Sequence, residues 1–567
     1  MSRTHQGFGL VDVIVGIALT LIIFLALFGV LRASLMLSTL AKAKAAGIEL
    51  ASSQMEYLRG ISYDSLGTLG GIPFGTVPQT ATTTVDGIPY TVRTFIQYVD
   101  DVADGTGPSD TNHITTDYKI GRVAVSYSIN DLVKSAVLIS NFSPPSIESS
   151  TGGGMLSIHV VDASGADLSD ATVRIKNTAT APTIDFTTFT NIGGLAVIDG
   201  AATSSEYQIY VSRYGYSSAQ TYERTIQNMN PTPGYLTVSK DQVTGATFFI
   251  DRLSTLSLAS YSPAVTTSFT DSFADASNIA NQEGTRVVGG SLILTDQGLF
   301  GTAHSTQITP SHLSGWGILS ATMTTPAGTA ALVRVADAAG TPLPDSALFG
   351  NGAGFSSFPI SLTDIPIVGY PTLTLSAELT SNSTTTTPEI LDWSLSYTDW
   401  PTPLPNIAFT LTGAKTIGTD SNSTPIPKTI LNDSTGASSL KTETLEWDSY
   451  SLVLASTNLI ESCPATPYSL APASAIDAKL TIGNPTTNTL PIIVQNSASS
   501  TIADAKVVLT RSGYAATIPT SACGFAYFNG LASDSYSATV SASGYATTTF
   551  PNINVAGRTA TATLVLP

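Results

Sequence analysis

A long apolar segment near the N-terminus constrains this chain more than any other feature. Residues 8–31 contain one charged residue, Asp12, and follow a short polar stretch that carries Arg3 and His5. As a helix rising ~1.5 Å per residue, the segment spans about 36 Å, enough to cross the hydrocarbon core of a membrane. A secretory signal would place small residues and a cleavage site after the apolar segment. Here Gly7 lies before it, so we expect residues 8–31 to be a retained transmembrane helix.

The prepilin cleavage motif of type IV pilins and pseudopilins resembles the run Gly7-Phe8-Gly9-Leu10-Val11-Asp12. The resemblance implies that a prepilin peptidase removes the leader, residues 1–7, and that Phe8 becomes the methylated N-terminus. Asp12 then takes the acidic position, where the family usually has Glu. In the family this acid neutralises the N-terminal ammonium of a neighbouring subunit, because either charge alone is costly in an apolar helix bundle. The alternative is a plain signal anchor with a chance Gly-Phe pair.

The helical pattern continues beyond the membrane segment. An apolar stripe with 3-4-3 spacing predicts one helix over residues 8–60, with its second half against a sheet. The stripe consists of Ile48, Ala51, Met55 and Leu58. Apolar and alternating segments then predict strands at 90–98, 122–129 and 136–139. A helix followed by antiparallel strands is the order of a pilin, so residues 61–143 resemble the β part of a pilin-like α+β head.

An acidic loop in this head carries four aspartates: Asp100, Asp101, Asp104 and Asp110. Carboxylate oxygens suit Ca²⁺, which takes six to eight oxygen ligands, and some pseudopilins bind calcium in such loops. The spacing is not that of an EF-hand. A structural calcium site and a solvated acidic loop are both open interpretations, and no other cofactor is expected.

A Pro- and Gly-rich linker, 144–154, separates the head from a repeated β pattern. An Asp-Ala pair, a glycine turn and a Gly-Tyr pair recur in the same order within 155–255 and 486–567. Both segments resemble carboxypeptidase regulatory-like or Cna-B-like modules, which implies β-sandwiches of Ig-like or prealbumin-like type. A third, diverged copy is predicted at 401–485. In such families these modules act as spacers, stalks or binding platforms.

The region between these copies, 262–400, has a different all-β pattern that resembles lectin-like jelly rolls. The resemblance implies that its closing strand pairs with its opening strand. Three tryptophans, Trp316, Trp393 and Trp400, are candidates for stacking on a sugar, and buried or junction tryptophans are the alternative.

Composition fixes the class of the whole chain. Hydrophobic residues make up 42% of the 567 residues, enough for several cores, and Gly and Pro indicate many turns. We therefore predict a mainly β multidomain protein behind a long N-terminal helix. The net charge of −17 argues against nucleic acid as a partner. The two cysteines, Cys463 and Cys523, form either one disulfide or two free thiols.

No catalytic motif stands out: the histidines lack metal spacing, and no nucleophile elbow or phosphate-binding loop is present. We therefore expect a non-enzymatic minor pilin-like subunit, adhesive at a filament tip and displayed on the cell surface. Its expected partners are prepilin peptidase, other pilin or pseudopilin subunits through the helix, the membrane before assembly, and a surface glycan or protein ligand. A secretion pseudopilin that contacts cargo and a membrane-anchored glycan-binding protein or enzyme are the alternatives.

Overall fold

The computed structural model describes residues 10–103, 116–129, 132–145, 153–555 and 561–567. They form one long N-terminal helix followed by many β-strands, which confirms the predicted mainly β, multidomain class. The chain divides into two compact units. The first comprises the chain up to Leu253 together with Thr416–Lys428, and the second comprises Ser254–Lys415 and Thr429–Pro567.

The first unit begins with a helix and an antiparallel sheet, here called the head. Its elements are α1 (Leu10–Arg59), a short 3-10 helix (Tyr63–Ser65), β1 (Thr80–Val85), β2 (Ile88–Val99), β3 (Tyr118–Ile129) and β4 (Leu132–Phe142). The four strands pair in sequence order, and the second half of α1 packs across β3 and β4. The three predicted strands are longer here. Strand β1 escaped prediction because its threonines give no apolar alternation.

Module A completes the first unit. Its strands are β5 (Gly154–Val161), β6 (Thr172–Asn177), β7 (Ile184–Phe189), β8 (Leu195–Ala201), β9 (Ser204–Ser212), β10 (Ala219–Gln220), β11 (Asn230–Pro231), β12 (Leu236–Val238) and β13 (Val243–Phe249). One sheet has the order β13-β5-β8, with β13 parallel to β5, and the other has the order β10-β9-β6-β7. Strand β11 also pairs with Thr416–Thr419 from far along the chain.

The head and module A are packed together. The backbone N–H of Asp185 in β7 donates to the carbonyl of Gly70 at 2.8 Å. The rings of Phe95 and Phe189 meet edge to face, with centroids 5.3 Å apart. Ile72, from the loop after α1, belongs to the hydrophobic core of module A. Residues 146–152 of the linker lie outside the described part of the chain.

The second unit begins with β14 (Ser254–Ser262) and module B, a two-sheet sandwich. The strands of module B are β15 (Val265–Asp271), β16 (Ile279–Glu283), β17 (Thr285–Val288), β18 (Ser291–Leu294), β19 (Phe300–Ser305), β20 (Leu313–Thr324), β21 (Thr329–Ala336), β22 (Ile360–Ser361), β23 (Thr374–Ser381) and β24 (Glu389–Asp399). Opening strand β15 pairs antiparallel with closing strand β24, as the jelly-roll resemblance implied.

Modules C and D follow. After β25 (Thr402–Pro403), module C contains β26 (Ala408–Gly413), β29 (Ile430–Ser434), β30 (Leu440–Leu445), β31 (Asp448–Leu454), β32 (Leu459–Cys463), β33 (Tyr468–Leu470) and β34 (Ala475–Ile482). The two strands between β26 and β29 belong to the first unit: β27 (Thr416–Thr419) and β28 (Pro425–Pro427). Module D contains β35 (Leu490–Asn496), β36 (Lys506–Arg511), β37 (Tyr514–Pro519), β38 (Phe525–Phe528), β39 (Ser535–Ser541), β40 (Thr548–Asn554) and β41 (Ala562–Leu566).

Module C is discontinuous, which corrects the predicted boundaries 155–255 and 401–485. Strand β14 runs parallel to β34, with Thr255 opposite Ala475, and it also pairs with β30. Leu256 and Leu258 of β14 belong to the core of module C. Module B is therefore inserted between the first strand of module C and the rest. A parallel pairing across more than 200 residues leaves no local trace in the sequence.

Candidate functional site

The described part of α1 from Ile17 to Leu37 exposes its apolar side chains. Large hydrophobic residues on every side of the helix are mostly exposed: Ile17, Leu19, Leu21, Ile23, Phe24, Leu25, Leu27, Phe28, Val30, Leu31, Leu35, Met36 and Leu37. Within the described residues, α1 is the one helix long and apolar enough to cross a membrane. An apolar surface of this size needs a cover, either lipid or other helices.

The second half of α1 is a packed helix. Its buried positions are small where the sheet comes closest: Ala43, Gly47 and Ala51 are followed by the larger Met55 and Leu58. A side chain at position 47 would meet the ring of Tyr127 on β3 at 3.2 Å, so glycine permits this close approach. The hydroxyl of Tyr90 on β2 donates to the carbonyl of Ala43 at 3.1 Å.

Ile48 departs from the predicted stripe. Ala51, Met55 and Leu58 are buried against the sheet as expected, but Ile48 is 43% exposed. The stripe continues instead at four-residue intervals through Gly47 and Ala43, where a search for large apolar residues finds nothing. The exposed Ile48 therefore extends the apolar surface of the helix rather than the core.

A buried lysine fixes the turn after α1 onto the sheet. Lys119 on β3 is 1% exposed, and its Nζ donates to the carbonyls of Tyr63 at 2.6 Å and Leu66 at 2.9 Å. The ammonium also lies 4.5 Å from the Tyr63 ring centroid. Burial lowers the pKa of Lys119 to about 8, and the nearby Asp64 opposes that shift.

The predicted processing and assembly residues lie at the edge of the described chain. Gly7 and Phe8 are outside the described residues. The backbone of Asp12 lies in α1, but its side chain is not described. Their roles therefore stay predictions.

The acidic loop of the head is described only in part. Asp101 accepts a hydrogen bond from the backbone N–H of Ala103 at 3.0 Å, and its own N–H donates to the carboxylate of Asp117. Asp100 also lies in the described part, whereas Asp104 and Asp110 lie outside it. The calcium site stays a prediction.

The structure does not support ligand stacking by Trp316 and Trp393, because both side chains are fully buried in the core of module B. Trp316 donates its indole N–H to the carbonyl of Tyr370 at 2.9 Å, and Trp393 packs on Phe273 with ring centroids 5.3 Å apart. From β20 and β24, the two side chains point into the core between the two sheets. Trp400 is partly buried against the core of module D. A sugar has no free face of Trp316 or Trp393 to stack on.

Cys463 and Cys523 form a disulfide and are not free thiols. Cys463 ends β32 of module C, and Cys523 lies in the turn between β37 and β38 of module D, with Cα atoms 5.8 Å apart. Glu461 lies beside this bond, and its hydrogen bond from the hydroxyl of Ser521 spans 2.5 Å. Sequence reasoning missed Glu461, although its place two residues before a cysteine in a strand puts both on one face.

Residues 489–567 match the model of the carboxypeptidase regulatory-like domain family. Module D is therefore similar to carboxypeptidase regulatory-like domains. Module A shares the strand arrangement of module D: a three-stranded sheet with one parallel pair, β35 and β41 in module D, and an antiparallel sheet of four strands in matching order, to which module A adds β12. The match covers the last module, and a comparison with curated proteins finds no match to the chain.

Several solved structures match parts of the chain at low identity and with low TM-scores. The Bacillus anthracis TIE protein is 10% identical with a TM-score of 0.16, over 79% of this chain and 59% of that one. The major pilin subunit BcpA of Bacillus cereus is 9% identical with a TM-score of 0.14, over 73% and 99%. The shaft pilin SpaA from Lactobacillus rhamnosus GG is 12% identical with a TM-score of 0.12, over 29% and 85%. These scores carry no argument about the function of this chain.

Proposed function

We propose that this chain is a minor structural subunit of a type IV pilus, held in the membrane by α1 before assembly and displayed on the cell surface afterwards. The observation that carries the proposal is one continuous helix with two environments. Between Ile17 and Leu37 the helix exposes apolar side chains on all sides, and its second half packs on a four-stranded antiparallel sheet. A helix of this kind can exchange lipid for the helices of other subunits without changing its own head.

The prepilin resemblance at Gly7 to Asp12 gives the proposal its finer form. A prepilin peptidase would release Phe8 as the N-terminus, and Asp12 would compensate the ammonium of a neighbouring subunit. Modules A to D would project from the filament as a large arm. Because such an arm is hard to repeat along a tightly packed shaft, we assign the chain to a minor position, such as the tip. The proposal includes no catalytic step and requires no cofactor.

Mass spectrometry of the mature N-terminus tests the processing step. We expect a chain that begins at N-methylated Phe8, whereas a chain that retains Met1 would contradict the assignment to type IV pilins. For assembly, Asp12→Ala should abolish co-purification with other pilin subunits, and Asp12→Glu, which restores the usual family residue, serves as the matched control. Undisturbed assembly of Asp12→Ala would remove the proposed role of this carboxylate.

An adhesive role is assigned to module B, whose insertion into module C makes it removable. Tyr261 and Ser262, before the insertion, pair with Pro403 and Thr402 after it. A deletion of residues 265–399 closed by a short Gly-Ser linker therefore rejoins chain ends that already lie side by side. We expect this deletion to abolish binding to a glycan or protein surface and to leave N-terminal processing intact. Unchanged surface binding would count against adhesion by module B.

A further inference from the structure

The disulfide between modules C and D has an acidic neighbour. Glu461 and Cys463 are two residues apart on β32, so their side chains share one face of the strand. A carboxylate oxygen of Glu461 and the sulfurs of Cys463 and Cys523 all lie within 4.8 Å of one another. No other His, Asp or Glu of the described residues joins them in this group.

Two hydroxyl residues hold the carboxylate beside the sulfurs. The hydroxyl of Ser521, in the same turn as Cys523, donates to Glu461 Oε1 at 2.5 Å, and Thr481 lies opposite Glu461 on β34. Two titratable residues adjoin the site: the exposed Lys479 opposite Cys463, and Tyr527, which lines a small cavity with Glu461. Burial raises the pKa of Glu461, which makes its carboxylate a stronger base near neutral pH.

The two cysteines differ in access. Cys463 is 7% exposed, whereas Cys523 is partly exposed in its turn. An external disulfide therefore reaches Cys523 first. The thiol of Cys463 must close the bond from a buried position, where the thiolate is disfavoured and a base is most useful.

We propose that Glu461 is the general base for closure of the Cys463–Cys523 disulfide when an external disulfide, such as oxidised glutathione, oxidises the reduced chain. The Cys523 thiolate first attacks the external disulfide, which forms a mixed disulfide and releases one thiol. Glu461 then takes the proton of the Cys463 thiol, and the Cys463 sulfur attacks Cys523 Sγ. The second external thiolate leaves and takes a proton, which Glu461 or water supplies. The chain loses two electrons and two protons, and the external disulfide becomes two thiols.

The test follows the mixed disulfide in the full-length chain in detergent. The reduced chain receives oxidised glutathione, samples are quenched by alkylation, and intact mass separates the glutathione adduct from the closed form. We expect Glu461→Gln to slow decay of the adduct about tenfold or more at pH 6.5. The difference should shrink towards pH 9.5, because hydroxide removes the thiol proton once the pH exceeds the ordinary thiol pKa of about 8.5.

The matched control is Asp477→Asn, which removes an exposed carboxylate from the neighbouring strand β34 with the same change in charge. We expect this variant to close its disulfide at the wild-type rate. Decay of the adduct in Glu461→Gln at the wild-type rate at pH 6.5 would overturn the proposal. Slowing that persists undiminished at pH 9.5 would also overturn it, since a purely positional role has that signature.

A second measurement starts from the folded, oxidised chain and so does not depend on refolding. When dithiothreitol attacks Cys523, Cys463 leaves as a thiolate, and by microscopic reversibility protonated Glu461 supplies its proton. We expect reduction of Glu461→Gln at pH 6.5 to be slower than reduction of wild type and of Asp477→Asn. Equal reduction rates in all three proteins would contradict the proposal.

Discussion

Modules A and D solve the same folding problem with matching hydrogen bonds. Thr190 in module A donates its hydroxyl to the carbonyl of Leu168 at 2.5 Å and accepts from the N–H of Ala171 at 2.9 Å. Thr520 in module D makes the same two bonds, to the carbonyl of Ile502 at 2.7 Å and from the N–H of Ala505 at 2.9 Å. Each threonine ties the segment before an inner strand to the turn that follows the next one.

The turn after these threonines is where the two modules differ. Both turns contain a glycine at positive φ, Gly194 and Gly524, where a Cβ would meet a backbone carbonyl at 2.5 and 2.7 Å. Immediately before this glycine, module A has Gly193, whereas module D has Cys523 and bonds it to module C. The glycine and the buried threonine set the conformation of the turn, which leaves the positions between free to take other roles.

The largest effect is expected from removing the disulfide, which module D has and module A lacks. The disulfide joins cysteines 60 residues apart, and the loop-closure relation gives about 4 kcal/mol of stabilisation for a loop of this length. We expect the double variant Cys463→Ser, Cys523→Ser to lower the free energy of opening of module D by about this amount, as measured by hydrogen exchange. Amides of module A should exchange unchanged. Equal losses in the two modules would show that the disulfide does not act locally.

The second prediction tests whether the shared threonine bonds are equivalent. Thr190→Val and Thr520→Val keep the shape of the side chain but leave a buried carbonyl and a buried N–H without that partner. We expect each change to destabilise its own module by about 2–3 kcal/mol, again by hydrogen exchange. Losses that differ by more than about 1.5 kcal/mol would mean that the correspondence is geometric but not energetic.

Repeats of this kind were within reach of the sequence, because Asp-Ala, Gly and Gly-Tyr signals lie close together along the chain. The sandwich class and the helix with its sheet also followed from local patterns. The pairing of β14 with β34 and the addition of Thr416–Thr419 to β11 did not, because both join residues far apart in sequence.

The candidate site shows the same limit at single residues. The composition of α1 predicts its exposed apolar segment. The spacing of large apolar residues places Ile48 on the packed face, but a large apolar side chain on a helix is not necessarily buried, and Ile48 is exposed. Trp316 and Trp393 have rings that could stack on a sugar. Whether a strand residue faces the core or the solvent depends on the fold, and both rings face the core. Glu461 becomes a candidate site residue only in the fold, which brings Cys523 beside it.

The third prediction concerns a tyrosine in each module that bonds to its own loop. The hydroxyl of Tyr207 donates to the carbonyl of Ala202 at 2.8 Å, and that of Tyr536 donates to the carbonyl of Ala532 at 3.1 Å. Tyr536 also accepts from Arg511 Nε at 3.2 Å. We expect Tyr207→Phe to cost about 1 kcal/mol and Tyr536→Phe somewhat more, since it removes two bonds. Hydrogen exchange of each module measures the difference, and the reverse order would contradict the role assigned to Arg511.

The smallest expected effect is a dependence of stability on pH that module A has and module D lacks at one matching turn. Asp162 caps the first turn of module A, where its carboxylate accepts from the backbone N–H groups of Ser164 at 2.8 Å and Ala166 at 2.9 Å. Asn496 accepts in the same way from Ala498 and Ser500, both at 3.0 Å, and cannot titrate. The hydrogen bond from the Ser164 hydroxyl, followed by the backbone bonds, lowers the pKa of Asp162 below its usual range.

Because the folded-state pKa of Asp162 lies below its unfolded value of about 3.9, its contribution is complete above pH 4 and is lost as the pH falls through the folded pKa. We therefore expect module A of the wild type to lose stability relative to Asp162→Asn as the pH falls below about 4. The reciprocal variant, Asn496→Asp, should give module D a weaker acid sensitivity of the same sign, because Ala498 has no hydroxyl to match that of Ser164. Parallel pH profiles for wild type and Asp162→Asn, measured by hydrogen exchange of module A corrected for the intrinsic exchange rate, would mean that the turn accepts either protonation state equally.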